Sequence, residues 1–125
     1  MKKTMKFLSL VALLVSALFV PAKAQSGADT ILGKWTNEDK TRVIEFIKSG
    51  SVYNAVIRKA PDQSVVGKNQ LANLSYRDGN YNGNVLLPKK GKSYPCTLRM
   101  KDDGTMEMTA KAGFMTKSQV WTKVK

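Results

Sequence analysis

LANLSYRDGNYNGNVLL, residues 71–87, decides how this chain folds. Leu71–Arg77 and Tyr81–Leu87 are short runs that place apolar side chains at intervals of two, and Asp78-Gly79-Asn80 stands between them. Asp-Gly supplies the left-handed backbone that a tight strand reversal needs, so the stretch reads as a β-hairpin. The same grammar continues outward in both directions. Toward the C-terminus, PKKGK leads into Ser93–Met100, DDGT turns into Met106–Ala112, and GFMTK leads to a last strand at Ser118–Val124. Toward the N-terminus, APDQSVVGKNQ is one longer loop, preceded by Ser51–Lys59, a turn at Ser49-Gly50, Thr41–Lys48, and a first strand at Ile31–Glu38. No segment among these shows a helical period.

These runs predict an all-β fold of eight antiparallel strands in up-and-down order. Turns recurring roughly every ten residues are the spacing of a barrel or sandwich. An open meander leaves its first and last strands unpaired, and closing the sheet joins those two edges to each other. The only two tryptophans, Trp35 and Trp121, fall on the first and last strands. Two large rings at a seam fill the join between sheet ends, each burying on the order of 200 Å². The expectation is a closed barrel with both tryptophans at its seam.

The N-terminus reads differently. Lys2, Lys3 and Lys6 precede an apolar run from Phe7 to Val20, and Ala22-Lys23-Ala24 follows. A cationic leader, a short apolar stretch and an A-x-A exit define a secretory signal peptide. The run is shorter than the about 20 residues a permanent anchor needs. Residues 1–24 are therefore expected to be removed, leaving a periplasmic or secreted domain over residues 25–125 with no transmembrane span. Without the four leader lysines, 17 basic residues face 9 acidic ones, so the mature domain carries about +8. Such a charge draws a protein toward anionic surfaces. In an exported protein these are lipids or acidic glycans rather than nucleic acid. The bases are spread along the chain, with one cluster at Lys89, Lys90 and Lys92.

Chemistry is limited by what the chain lacks. It has no histidine and a single cysteine, Cys96. No Ser-His or Cys-His pair and no imidazole ligand for zinc can be assembled. Cys96 shares the apolar face of its strand with Tyr94, Leu98 and Met100, where a thiol behaves as a small hydrophobe. Glu38-Asp39 and Asp102-Asp103 are adjacent carboxylates, but neighbours along a strand point to opposite faces. In DDGT the Asp and Gly are also what the turn itself requires. The reading is a non-catalytic protein with no metal and no cofactor.

One set of residues adds a resemblance. Gly33-x-Trp35 matches the opening of lipocalin-like barrels. Together with Gly67–Leu71, Gly83, Pro88, Gly91-Lys92-x-Tyr94 and Gln119-x-Trp121-Thr122, it resembles the small exported bacterial proteins called domain of unknown function 2147. The likeness runs over nearly all of Gly33–Val124 and implies a lipocalin-like barrel. The chain departs from the pattern at Leu87, where relatives often carry Asp, and at Lys111-Ala112, where many carry Arg-Gly. It departs again at Lys123, where arginine is commoner. A planar guanidinium at that last position stacks on the Trp35 ring better than an ammonium does.

A binding role is the reading that survives. Met100, Met106, Met108 and Met115 crowd the C-terminal half, and Met106 and Met108 form a stripe on one strand face. Thioethers suit a lining that adapts to varied apolar molecules, and equally the filling of a small irregular core. The candidate ligand-contacting residues, in the interior or at the mouth, are Trp35, Tyr53, Tyr94, Met106, Met108 and Phe114. An eight-stranded barrel is just wide enough to be filled or to hold one small ligand. In a domain of this size the expectation is a mostly filled interior. The predicted role is a small binding module for an apolar or amphiphilic ligand; the alternative is an envelope protein meeting anionic glycans or lipids through Lys89, Lys90 and Lys92.

Overall fold

The computed structural model describes residues 27–125, so the leader assigned to residues 1–24 lies outside it. Residues 1–30 and 31–125 are separate units. Of the first, a short helical turn at its end is described, where the Thr30 hydroxyl donates to the Gly27 carbonyl at 2.8 Å. The second unit is the barrel. Among the described residues no helix is long and apolar enough to cross a membrane.

Eight strands follow in sequence order: β1 (Gly33–Thr36), β2 (Val43–Ser49), β3 (Val52–Lys59), β4 (Asn69–Arg77), β5 (Asn80–Leu87), β6 (Lys92–Met100), β7 (Met106–Ala112) and β8 (Met115–Lys123). Each pairs antiparallel with the next, and β8 returns to β1, closing the sheet. The eight-stranded up-and-down barrel expected from the turn spacing is the fold. The seam is short: Trp35 opposes Lys123, Thr36 opposes Thr122, and the Val124 N–H donates to the Lys34 carbonyl at 2.8 Å. Trp35 and Trp121 are both fully buried beside it, on the two strands that meet.

Three of the strand limits that differ from expectation have a clear local reason. β1 is shorter because Ile31 is buried ahead of it, its carbonyl taken by the Trp35 indole N–H at 2.8 Å. At the other end of β1, Asn37 leaves the strand to form a turn, its side chain accepting from the Arg42 N–H at 3.0 Å. β8 is longer because Gly113, with φ of +65°, lets a two-residue turn carry the β7–β8 ladder out to the Ala112–Met115 pair. The longer loop before β4 contains a single 3-10 turn, Gln63–Val65, capped by Asp62.

β4 also carries a bulge. Ala72 pairs with Asn84 and Ser75 with Asn82, so Asn73 and Leu74 together oppose Gly83. Asn73 takes φ of +57°, and its N–H is held by the Asn54 side chain at 2.9 Å. The extra residue bends the sheet, as closure of a small barrel requires.

The inward rows show where the interior is filled. Up-and-down order puts the β2–β3, β4–β5 and β6–β7 turns at one end of the barrel. That half is packed by Trp35, Phe46, Tyr53, Leu74, Tyr81 and Leu98, all buried. Tyr53 and Tyr81 meet edge to face with centroids 5.7 Å apart, and Trp35 and Phe46 do so at 6.5 Å. Such pairs add about 0.5–1.5 kcal/mol beyond the area they bury.

Candidate functional site

The other half of the barrel is open. At the end carrying the β1–β2, β3–β4, β5–β6 and β7–β8 turns lies a cavity of about 650 Å³. That size falls within the roughly 300–1,000 Å³ of small-molecule sites. The expected mostly filled interior is thereby corrected. Filling stops halfway because residues on this side shrink or become polar. Inward positions on β7 run from Met108 to Ala110 and Ala112, and those on β8 from Trp121 to Gln119, Lys117 and Met115.

The floor is Trp121, and the apolar wall is formed by Val85, Leu87, Tyr94 and Met108. The polar side comes from Asn37, Arg42 and Gln70, with Lys90 and Lys117 toward the rim. Gln70 is a buried polar residue, 6% exposed. Its amide donates to the Leu86 carbonyl at 2.9 Å, and its oxygen accepts from Arg42 Nη1. The Arg42 backbone is clamped as well: its carbonyl accepts from the Thr36 hydroxyl at 2.9 Å and from the Asn37 N–H at 3.3 Å. The guanidinium therefore leaves a fixed point and is steadied along its length.

Of the six residues expected to touch a ligand, Tyr94 and Met108 line this cavity. Trp35, Tyr53 and Met106 are inside the barrel but belong to its packed half. Trp35 is enclosed by Phe46 and by Lys123, whose Nζ lies 5.5 Å from the ring centroid, the position where a guanidinium was expected to stack. Phe114 does not join the cavity wall. It is the second residue of the β7–β8 turn and is fully exposed. The basic cluster separates too: Lys89 pairs with Asp62 at 2.6 Å, Lys90 lines the cavity, and Lys92 opens β6 at the surface. The Lys89 ammonium, with help from Ser64, holds the Asp62 carboxyl well below the usual carboxylate range.

Arg42, Gln70 and Trp121 were not among the expected site residues. Arg42 was legible, since it shares strand parity with the buried Ile44 and Phe46. Gln70 was not, because the β3–β4 register shifts between the Ala55–Leu71 and Val56–Asn69 pairs, leaving Gln70 the extra residue.

Cys96 sits between the two halves, buried on β6. Burial pushes its thiol up to about 11. The thiolate is the nucleophile, so at neutral pH this sulfur is unreactive in the folded protein. Labelling by a thiol reagent is expected to be slow in buffer and fast in denaturing urea. Rapid stoichiometric labelling of the folded protein would show that Cys96 is accessible.

An eight-stranded barrel, packed at one end and cupped at the other, defines a protein of lipocalin-like class. The family described as "Uncharacterized protein conserved in bacteria (DUF2147)" matches residues 33–123, and the chain belongs to that family. Among solved structures it is similar to one described as "Protein HP1028 from the human pathogen Helicobacter pylori belongs to the lipocalin family". The TM-score is 0.59 at 16% identity, covering 76% of this chain and 83% of that one. At this identity the likeness is one of fold. Comparison with curated proteins returns no match.

Proposed function

We propose that this protein is an exported, non-catalytic binding module that holds an apolar or amphiphilic small molecule in the open half of its barrel. The observation that carries this reading is the cavity of about 650 Å³, floored by Trp121 and walled by Tyr94 and Met108. The aromatic and thioether walls offer apolar surface, and the polar side fixes orientation, the usual division of labour in small-molecule sites. Export rests on the leader in residues 1–24 and its A-x-A exit at Ala22-Lys23-Ala24.

Native mass spectrometry of the protein purified from the envelope of its own host tests both parts. The expected spectrum shows a chain beginning at Gln25 and a second population carrying one added small molecule. A chain retaining Met1 would contradict export. Bare protein alone, after gentle purification without detergent, would contradict a resident ligand.

A further inference from the structure

We propose that Arg42, with Lys90 and Lys117 toward the rim, forms a seat for the anionic head group of an amphiphile whose apolar part lies against Tyr94 and Met108. The proposal rests on the binding reading above and names the chemical class of its ligand.

The cavity holds a charge without a counter-charge. Arg58 pairs with Glu45, Lys89 with Asp62 and Arg99 with Glu107. Arg42 is in none of them. Arg42 is half-buried on the polar side of the cavity, its guanidinium bonded to the neutral amide of Gln70. Withdrawing a cation from water without a counter-charge is unfavourable, so the site is completed by an anion.

The polarity of the seat selects its ligand. Gln70 Oε1, the acceptor beside Arg42, is already occupied by Arg42 itself. The guanidinium has only donors to offer. The charged residues lining the cavity are Arg42, Lys90 and Lys117, with no carboxylate among them. An oxyanion accepts from such a site; a cationic head meets three like charges.

Titration of the mature protein with decanoate, 1-decanol and decylammonium, followed by calorimetry, tests this. Decanoate is expected to bind roughly tenfold to a hundredfold more tightly than decanol, the gain of a charge-assisted hydrogen bond. Decylammonium is expected to bind most weakly. Arg42→Met should remove the preference for decanoate over decanol. Arg42→Lys should keep a smaller preference. Equal binding of decanoate and decanol, unaffected by Arg42→Met, would overturn the anionic seat while leaving the binding reading standing. If Arg42→Met also weakens decanol, Arg42→Lys decides, and loss of all preference in that variant overturns the seat. Failure of all three amphiphiles to bind would overturn both readings.

Discussion

Truncating Trp35 to Ala in the mature domain is expected to cost about 4–5 kcal/mol of stability, and Trp121→Ala about 3 kcal/mol. Both rings are fully buried. The difference follows from what each touches. Trp35 gives up its edge contact with Phe46, the Lys123 ammonium over its face and the bond to the Ile31 carbonyl. Trp121 borders an existing cavity and has no hydrogen bond to lose. Against a total of about 5–15 kcal/mol for a typical domain, either loss is severe. The residues are diagonal neighbours across the β1–β8 seam, because Trp35 opposes Lys123, two positions beyond Trp121. A coupling of about 0.5–1 kcal/mol is therefore expected in a double-mutant cycle followed by urea unfolding. A loss near zero at either site would contradict this seam, and so would strictly additive losses.

The second large effect belongs to Gly83. A Cβ at this position would lie 2.7 Å from the Ala72 carbonyl oxygen, 2.9 Å from that of Asn73 and 2.9 Å from Leu74 Cδ2. Two of these three are backbone atoms of the β4 bulge and cannot rotate away. The bulge approaches β5 so closely only because Gly83 has no side chain. Gly83→Ala is expected to destabilise by about 1–3 kcal/mol through overpacking, and Gly83→Val by more. The measurement is the urea midpoint at unchanged m-value. An alanine variant within a few tenths of a kcal/mol of the parent would show that the bulge can relax.

The two predictions mark where sequence reading succeeds and where it stops. Asp78-Gly79, Ser49-Gly50 and Asp102-Asp103-Gly104 each name a turn by local backbone chemistry, so strand order was legible. Closure followed because an eight-strand meander has two edges and the tryptophans fall on both. The cavity was less legible. Met106 and Met108 look alike in an alternating strand, yet one lies in the packed half and the other lines the cavity. On β8, Lys117 and Gln119 point inward from polar positions, which alternation alone reads as a solvent face. They point inward because that half of the barrel is open. Phe114, in the two-residue β7–β8 turn, is fully exposed and outside the lining, which its aromatic character alone did not reveal.

The most direct test of a half-filled, ligand-holding barrel is titration of the mature protein with the neutral fluorescent dye N-phenyl-1-naphthylamine. Neutrality separates the cavity from the charge of the Arg42 seat. The expected result is saturable binding at one site with enhanced dye emission. Met108→Trp, which fills the wall from within, should weaken binding by at least about tenfold, a change of roughly 1.4 kcal/mol, while its urea midpoint stays close to the parent's. Absence of saturable binding, or equal binding by the Met108→Trp protein, would contradict the account.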